Sequence, residues 1–137
     1  MRLTRAVFKY IEHELYNYDA TIKEMEAIQE DIVFAAPLKE TMPSAGFISD
    51  PTANKATKLV TNTALARMAR TVSAIDKALA RLTDDHRAIF ELKYRQGMNW
   101  RQICATIPTS ERSYFRQRRE LVQMVALELG LAESWQE

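Results

Sequence analysis

Three arginines in the last quarter of the chain have a spacing that could bind nucleic acid. Arg112, Arg116 and Arg119 follow one another at intervals of four and three residues, which places them on one side of a helix. Guanidinium groups in such a row can donate hydrogen bonds to phosphates or to guanine edges in the major groove of DNA. A row of this kind on an ordinary helix is more often only a solvated face. Its meaning therefore depends on the elements that position it.

Polar residues accompany the arginines, and apolar residues occupy the other side of the same predicted helix. The candidate DNA-binding residues are Ser110, Arg112, Ser113, Arg116, Arg119 and Gln123. A helical wheel predicts a buried face made of Tyr114, Leu121, Val122, Val125 and Leu129, with Arg118 extending from its edge. Early positions of a recognition helix approach base edges and later ones meet phosphates. We therefore expect Arg112, Arg116 and Ser113 to contact bases, and Arg119 to contact phosphate.

Other residue types that could do chemistry lack the necessary context. His13 and His86 are far apart in the sequence and have no metal-binding partner at a suitable spacing, and no glycine-rich phosphate loop is present. Asp84 and Asp85 are adjacent and would point about 100° apart on a helix, so a helix-dipole role explains them. We therefore predict no catalytic residue, no cofactor and no metal site, and expect the protein not to be an enzyme.

Composition indicates a folded, water-soluble chain. Its 137 residues suffice for one ordinary domain with a helical extension, and 47% of them are hydrophobic and 27% charged. A single cysteine, Cys104, cannot form an internal disulfide, which favours a reducing compartment. We find neither the pattern of a secretion signal nor an apolar run of membrane-spanning length. The expected location is the cytoplasm, with no membrane partner.

Residues 1–82 are predicted to form an arm of two long helices. The first should run from Leu3 to about Ala36 on a four-three apolar spacing, and a loop should follow at about 37–49, where proline, serine and glycine cluster. Asp50 and Pro51 are suited to begin the second helix. Its apolar face repeats at intervals of three and four through Leu65, Met68, Val72, Ile75, Leu79 and Leu82.

Two interpretations of this arm remain open. The helices could pair within one chain as a hairpin, or between chains as a coiled coil that makes a homodimer. Residues 1–36 hold seven acids and four bases, whereas residues 50–82 hold two acids and six bases. This complementarity predicts that the acidic first helix lies beside the basic second one.

Capping residues divide the remainder into three helices. Thr83 should begin the first and Gly97 should end it; Asn99, with Gln102 in a capping box, should begin a short second helix that Pro108 stops. Thr109 or Ser110 should cap the last helix, and a Schellman motif should end it at Gly130 with Leu131. A short helix, a turn of three or four residues and a longer basic helix are typical of a helix-turn-helix.

The same stretch resembles a known family. The segments that carry the resemblance are 87–94 (RAIFELKY), 97–104 (GMNWRQIC) and 110–116 (SERSYFR). They are similar to region four of bacterial sigma factors, and most of all to phage transcriptional regulators of the RinA and ArpU type. Pro108 stands where a glycine or small polar residue is common in that family, and Cys104 where alanine is usual. The resemblance implies activation of late phage genes for packaging, morphogenesis or lysis.

The sequence thus predicts an all-α protein. Residues 1–82 would serve oligomerisation or partner binding, residues 83–131 would be the helix-turn-helix domain that binds double-stranded DNA, and residues 132–137 would be a tail. The predicted function is sequence-specific transcription regulation in a bacterial host cell, with RNA polymerase as a possible second partner. The alternatives are a DNA-packaging recognition subunit resembling a small terminase subunit, and a structural adaptor that binds no DNA.

Overall fold

The computed structural model describes residues 3–41 and 51–132, with side chains described for 3–31 and 61–132. Every regular element in these ranges is a helix, so the all-α prediction is confirmed. The elements are α1 (Arg5–Tyr16), α2 (Tyr18–Thr41), α3 (Pro51–Arg81), α4 (Asp84–Ile89) with a π-helical segment directly after it (Phe90–Arg95), α5 (Trp100–Thr106) and α6 (Glu111–Glu128).

The chain divides into two compact units. The first contains Met1–Asp19 and Thr71–Glu137, and the second contains Ala20–Arg70. The first unit therefore joins α1 and the end of α3 to the three C-terminal helices. The predicted division at residue 82 is one of roles, between an arm and a DNA-binding domain, and it stays a prediction.

The long first helix predicted for residues 3–36 is interrupted, and this part of the prediction is wrong. Asn17 ends α1 with φ −93° and ψ 7°, and its backbone N–H donates to the carbonyl of His13. The residues after the break make contacts distant in sequence: the Tyr18 hydroxyl donates to Asp76 (2.6 Å), and Arg95 donates to Asp19 (3.1 Å). A four-three apolar spacing continues across a single interrupted residue, so periodicity alone could not locate this break.

The ends of the two long helices agree with the sequence in part. The helix α2 continues to Thr41, so the loop does not begin at Pro37 as predicted. Proline removes one helical hydrogen bond and makes a helix less favourable without forbidding it. Pro51 is the first residue of α3, as predicted, whereas the proposed cap at Asp50 and the rest of the loop lie outside the described residues.

The part of α3 in the first unit buries a broader stripe than the one predicted. Ile75 is fully buried, and Leu79 and Leu82 pack partly buried against the same core, as the three-four repeat indicates. Small and polar residues complete the stripe, because Thr71, Ala74 and Ala78 are also buried. Val72 is only half-buried. Leu65 and Met68 belong to the second unit and are half-buried there.

In the first unit, charged residues of the arm contact the C-terminal helices. The Tyr94 hydroxyl donates to Glu12 (2.7 Å), and Arg95 pairs with Asp19, so these two acids face the π-helical segment. Arg81, at the end of α3, pairs with Glu128 of α6 at 2.7 Å. The contacts of Glu12, Asp19 and Arg81 in the first unit are thus with the C-terminal helices. The pairing of the acidic first helix with the basic second one stays a prediction.

The helix predicted between Thr83 and Gly97 has the expected ends, but its second half is a π-helix and not an α-helix. Thr83 precedes α4, and Gly97 follows Gln96 with φ +74°, a conformation that glycine adopts without strain. Between them the helix widens, and the Gln96 N–H donates to the carbonyl of Glu91, five residues earlier. Phe90 and Tyr94 of this π-helical segment are both buried in the larger core.

The caps around α5 and α6 confirm the sequence interpretation. Asn99 Oδ1 accepts from the Gln102 N–H (2.9 Å), and Gln102 Oε1 accepts from the Asn99 N–H (3.1 Å), which is a complete capping box. Of the two candidates for the α6 cap, Ser110 is the one used, because its Oγ accepts from the Ser113 N–H (3.1 Å).

The end of α6 is the predicted Schellman motif. Gly130 has φ +75° and its N–H donates to the carbonyl of Leu127, while the Leu131 N–H donates to that of Ala126. The side chain of Leu131 is 45% exposed, so the motif rests on its two backbone hydrogen bonds. The helix α6 therefore has a defined length of 18 residues.

Two apolar cores stabilise the first unit. The larger core contains Ile11, Leu15, Ala74, Ile75, Ala78, Phe90, Tyr94, Leu121, Val122, Val125, Ala126 and Leu129. The smaller core contains Ile89, Ile103 and Tyr114, with partly buried Leu92, Met98, Trp100, Cys104, Ile107 and Phe115 around them. The helix α6 contributes to both: Tyr114 in its first half joins the smaller core, and Leu121 begins its share of the larger one. Both cores thus fix the position of α6.

Candidate nucleic-acid interface

The helix α6 has a buried face and a polar face, as the helical wheel predicts. All five residues assigned to the buried face are at most 7% exposed: Tyr114, Leu121, Val122, Val125 and Leu129. Arg112, Arg116 and Arg119 are exposed. Arg112 and Arg119 have no ion-pair partner in the described part of the chain. Exposed guanidinium groups on a helix anchored by two cores can meet an anionic ligand with little rearrangement of the backbone.

The turn before α6 sets where the arginine row begins. Ile107 ends α5 in an extended conformation (φ −102°, ψ 122°), and Pro108 follows it. Ser110 is itself extended (φ −82°, ψ 158°) and its side chain caps α6. Only residues 107–110 separate the two helices. Arg112 and Ser113 therefore lie in the first turn of α6, directly after a short connection whose last residue caps the helix.

A glutamate of the same helix forms an ion pair with one of the three arginines. Arg116 Nε lies 3.3 Å from Glu120 Oε1, one helical turn away, with 63% of the Arg116 side chain exposed. The other carboxylate oxygen, Oε2, lies 3.8 Å from Nε2 of His86 in α4. The two carboxylate oxygens of Glu120 therefore face different partners: the exposed Arg116 of the candidate interface and the buried His86 of α4.

His86 is buried in this cluster, although the sequence suggests no role for it. Its Nδ1 accepts from the Thr83 N–H (3.3 Å) and lies 2.7 Å from Thr83 Oγ1, so the ring caps the start of α4. Burial lowers the pKa of His86, and the nearby Glu120 carboxylate opposes that shift. Because Nδ1 accepts a hydrogen bond, the neutral ring carries its proton on Nε2, which faces Glu120.

Arg118 extends along the apolar edge of α6, as predicted from its position on the wheel. Its guanidinium carbon lies 5.3 Å from the centre of the Phe8 ring and 5.4 Å from that of Phe115. Cations over aromatic faces at such distances are stabilised by the ring quadrupole. Arg118 thus connects the start of α1 to α6 and belongs to the packing of the unit instead of the arginine row.

A groove of about 650 Å³ lies between the start of α1 and α6. Its lining comprises Leu3, Arg5 and Phe8 from the α1 side, and Arg116, Arg119, Glu120 and Gln123 from α6. Three arginines and one glutamate line it, and the glutamate already pairs with Arg116. The groove therefore presents an excess of positive charge to solvent.

The structure brings the six predicted site residues to one helix but not to one place. Arg116, Arg119 and Gln123 line the groove, whereas Ser110, Arg112 and Ser113 lie at the first turn of α6. Sequence reasoning did not find Arg5 and Phe8, because they are more than a hundred residues distant from α6 in the chain. The only local signals near them are the Thr4 cap, which accepts from the Val7 N–H, and the lack of an acid in the first turn of α1.

Among the residues that the structure describes, no group of three or more histidine, cysteine, aspartate or glutamate side chains is placed to hold a metal ion. None of the helices there is both long enough and apolar enough to cross a membrane.

Comparison with known proteins adds a family relationship. Neither a curated protein nor a solved structure matches the chain. One family model, described as a protein of unknown function (DUF722), matches residues 11–126 and thus includes the second half of α1 and nearly all of α6. Since this match spans well over half of the 137 residues, the chain belongs to the DUF722 family.

Proposed function

We propose that this protein is a sequence-specific DNA-binding transcriptional regulator, in which α5, the turn and α6 act as a helix-turn-helix. The observation that carries the proposal is the exposed row of Arg112, Arg116 and Arg119 on a helix whose opposite face is buried in two cores. A solvated arginine face needs no such anchoring, whereas a helix that reads the major groove must keep its orientation on the duplex.

The connection between the helices supports this assignment. A helix of seven residues, a four-residue connection and a capped helix of 18 residues have the proportions of a helix-turn-helix. Trp100 is half-buried and packs against the smaller core, with its ring centre 6.0 Å from that of Phe115. Recognition would therefore rely on hydrogen bonds from α6.

The positions along α6 suggest a division of roles. Arg112 and Ser113 occupy the first turn, where a recognition helix comes closest to base edges, and Arg116 follows one turn later. Arg112 and Arg116 would donate to guanine O6 and N7, with Ser113 beside them. Arg119 and Gln123 lie further along and would meet the phosphates, and Ser110 would hold the start of the helix at the groove.

The biological role follows from the resemblance to RinA- and ArpU-type regulators. The protein would activate late phage genes in the cytoplasm of a bacterial host, with α2 and α3 available for homodimer formation or for contact with RNA polymerase. No catalytic step is proposed. A DNA-packaging recognition subunit, resembling a small terminase subunit, would use the same arginine face but would assemble into a ring of many subunits.

The experiment is to sequence DNA recovered with the protein from cells, beside a variant in which Arg112, Arg116 and Arg119 are all alanine. These side chains are exposed, so the variant should fold normally, and thermal melting checks this. Enrichment of one promoter-like site that the variant loses supports the proposal. Equal, unenriched recovery by both proteins contradicts it. Solution mass separates the two roles, since a monomer or dimer fits regulation and a large ring fits packaging.

A further inference from the structure

The groove between α1 and α6 contains an arginine, Arg5, that lies outside the helix-turn-helix. Arg5 lies in the first turn of α1, directly after the Thr4 cap, and is exposed. It lines the same groove as Arg116 and Arg119, although the three come from opposite ends of the chain. No acid occupies the first turn of α1, and Arg5 has no ion-pair partner within the described ranges.

The start of α1, which carries Arg5, packs against α6. Phe8, three residues after Arg5, lines the groove and packs against the larger core, and its ring lies 5.3 Å from the Arg118 guanidinium. Further along α1, Ile11 and Leu15 are fully buried in the larger core. The position of Arg5 relative to Arg119 is thus determined by packing, so a ligand would meet both without first ordering α1.

The charge of the groove selects the chemistry of its occupant. Three guanidinium groups face it, and its one carboxylate, Glu120, pairs with Arg116. The occupant should therefore be an anion with oxygen acceptors at more than one place, which matches successive phosphates of a nucleic-acid strand. The groove is also continuous with the arginine row, because Arg116 and Arg119 belong to both.

We propose that this groove seats the phosphate backbone of the bound DNA, with Arg5 of α1 contacting phosphate opposite Arg119 of α6. The inference rests on the proposed DNA-binding function and extends its interface to α1. It also gives the first helix a direct part in binding, in addition to its structural one. Because phosphates carry no sequence information, Arg5 would strengthen binding to every duplex alike.

The test is a titration of the full-length chain against a cognate and a scrambled duplex between about 50 and 200 mM salt. Arg5→Ala should weaken binding to both duplexes by the same factor and lower the slope of log K against log salt by about one unit. Arg5→Lys, which keeps the charge, should restore most of that slope. Lys9→Ala is the matched control, since Lys9 is an exposed base one turn further along α1 that does not line the groove.

The outcomes separate this inference from the proposed function. If Arg5→Ala behaves like Lys9→Ala while Arg119→Ala lowers the salt slope, DNA binds α6 but not the groove, and the inference is overturned. If the unmodified chain binds neither duplex, the proposed function fails and the inference fails with it. Melting temperatures of the variants show whether any loss comes from unfolding, and Arg5→Lys then decides whether charge is the cause.

Discussion

The two cores of the first unit differ in size and in the elements that build them. The larger core joins α1, the end of α3, the π-helical segment and the second half of α6, whereas the smaller core has only three buried residues, Ile89, Ile103 and Tyr114. The first turn of α6, with Arg112 and Ser113, precedes Tyr114 of the smaller core, whereas the groove lined by Arg116 and Arg119 also contains Phe8, which packs against the larger core. The difference indicates that the larger core supplies most of the stability and that the smaller one sets the local geometry of the turn.

The largest expected effect is on the contribution of α1 to the larger core. Leu15→Asp would bury a carboxylate at a fully buried position, which should cost several kcal/mol and abolish cooperative melting. Tyr10→Asp is the control, because Tyr10 is 45% exposed on the same helix. A chain that begins at residue 51 lacks both Ile11 and Leu15 and should melt as poorly. Circular dichroism melts that are unchanged for Leu15→Asp would show that α1 does not dock in the larger core.

An intermediate effect is expected in the smaller core. Ile103→Ala removes a fully buried side chain, so the free energy of unfolding should fall by about 2–5 kcal/mol. If the two cores act separately, amide hydrogen exchange should accelerate most in α5 and the turn, while the amides of α1 remain protected. Equal acceleration in both helices would mean that the two cores unfold as one cooperative unit.

A smaller effect is expected from the cap that begins α5. Asn99→Ala removes the acceptor for the Gln102 N–H, so the free energy of unfolding should fall by about 1 kcal/mol. Lys9→Ala, an exposed substitution in α1, should leave stability nearly unchanged. Chemical denaturation measures both. An Asn99→Ala variant as stable as Lys9→Ala would show that the capping box contributes nothing to α5.

The smallest expected effect is a pH dependence from His86. Burial lowers its pKa in the folded chain, so the unfolded chain binds a proton more readily. Stability from this residue is therefore complete above the unfolded pKa, near 6.5, and declines as the pH falls toward the lowered folded pKa. Glu120, Asp85 and Arg116 are the charges that act on it. In His86→Gln, melting temperature should vary less between pH 7 and pH 5. An unaltered pH dependence would contradict this assignment.

The sequence was informative where short-range signals decide the structure. The side chains of Asn99 and Ser110 accept hydrogen bonds from backbone N–H groups three residues later, and Gly130 ends α6 with a positive φ. Since these interactions are local, the residue types and their spacing predict the caps correctly. The buried face of α6 was also predictable, because apolar residues repeat along it with the period of a helix. These local rules account for the candidate residues on α6.

Contacts between distant segments were beyond such reasoning. The break at Asn17 is followed by the Tyr18–Asp76 hydrogen bond, and burial together with that carboxylate raises the pKa of Tyr18 to about 12. Nothing near Tyr18 in the sequence indicates Asp76 as a partner. The same applies to Arg5, whose place in the same groove as Arg119 follows from the docking of α1 on α6. One-dimensional periodicity describes faces of helices but not which helices meet.

Sequence reading by α6 is tested by titrating three variants of this helix against cognate and scrambled duplexes at two salt concentrations. Arg112→Ala and Arg116→Ala should each cost on the order of 1–3 kcal/mol on the cognate duplex and reduce the preference for it, because a guanine contact is lost. Arg119→Ala should weaken both duplexes alike and lower the salt slope by about one unit. Equal losses on both duplexes for all three variants would contradict sequence reading by this face.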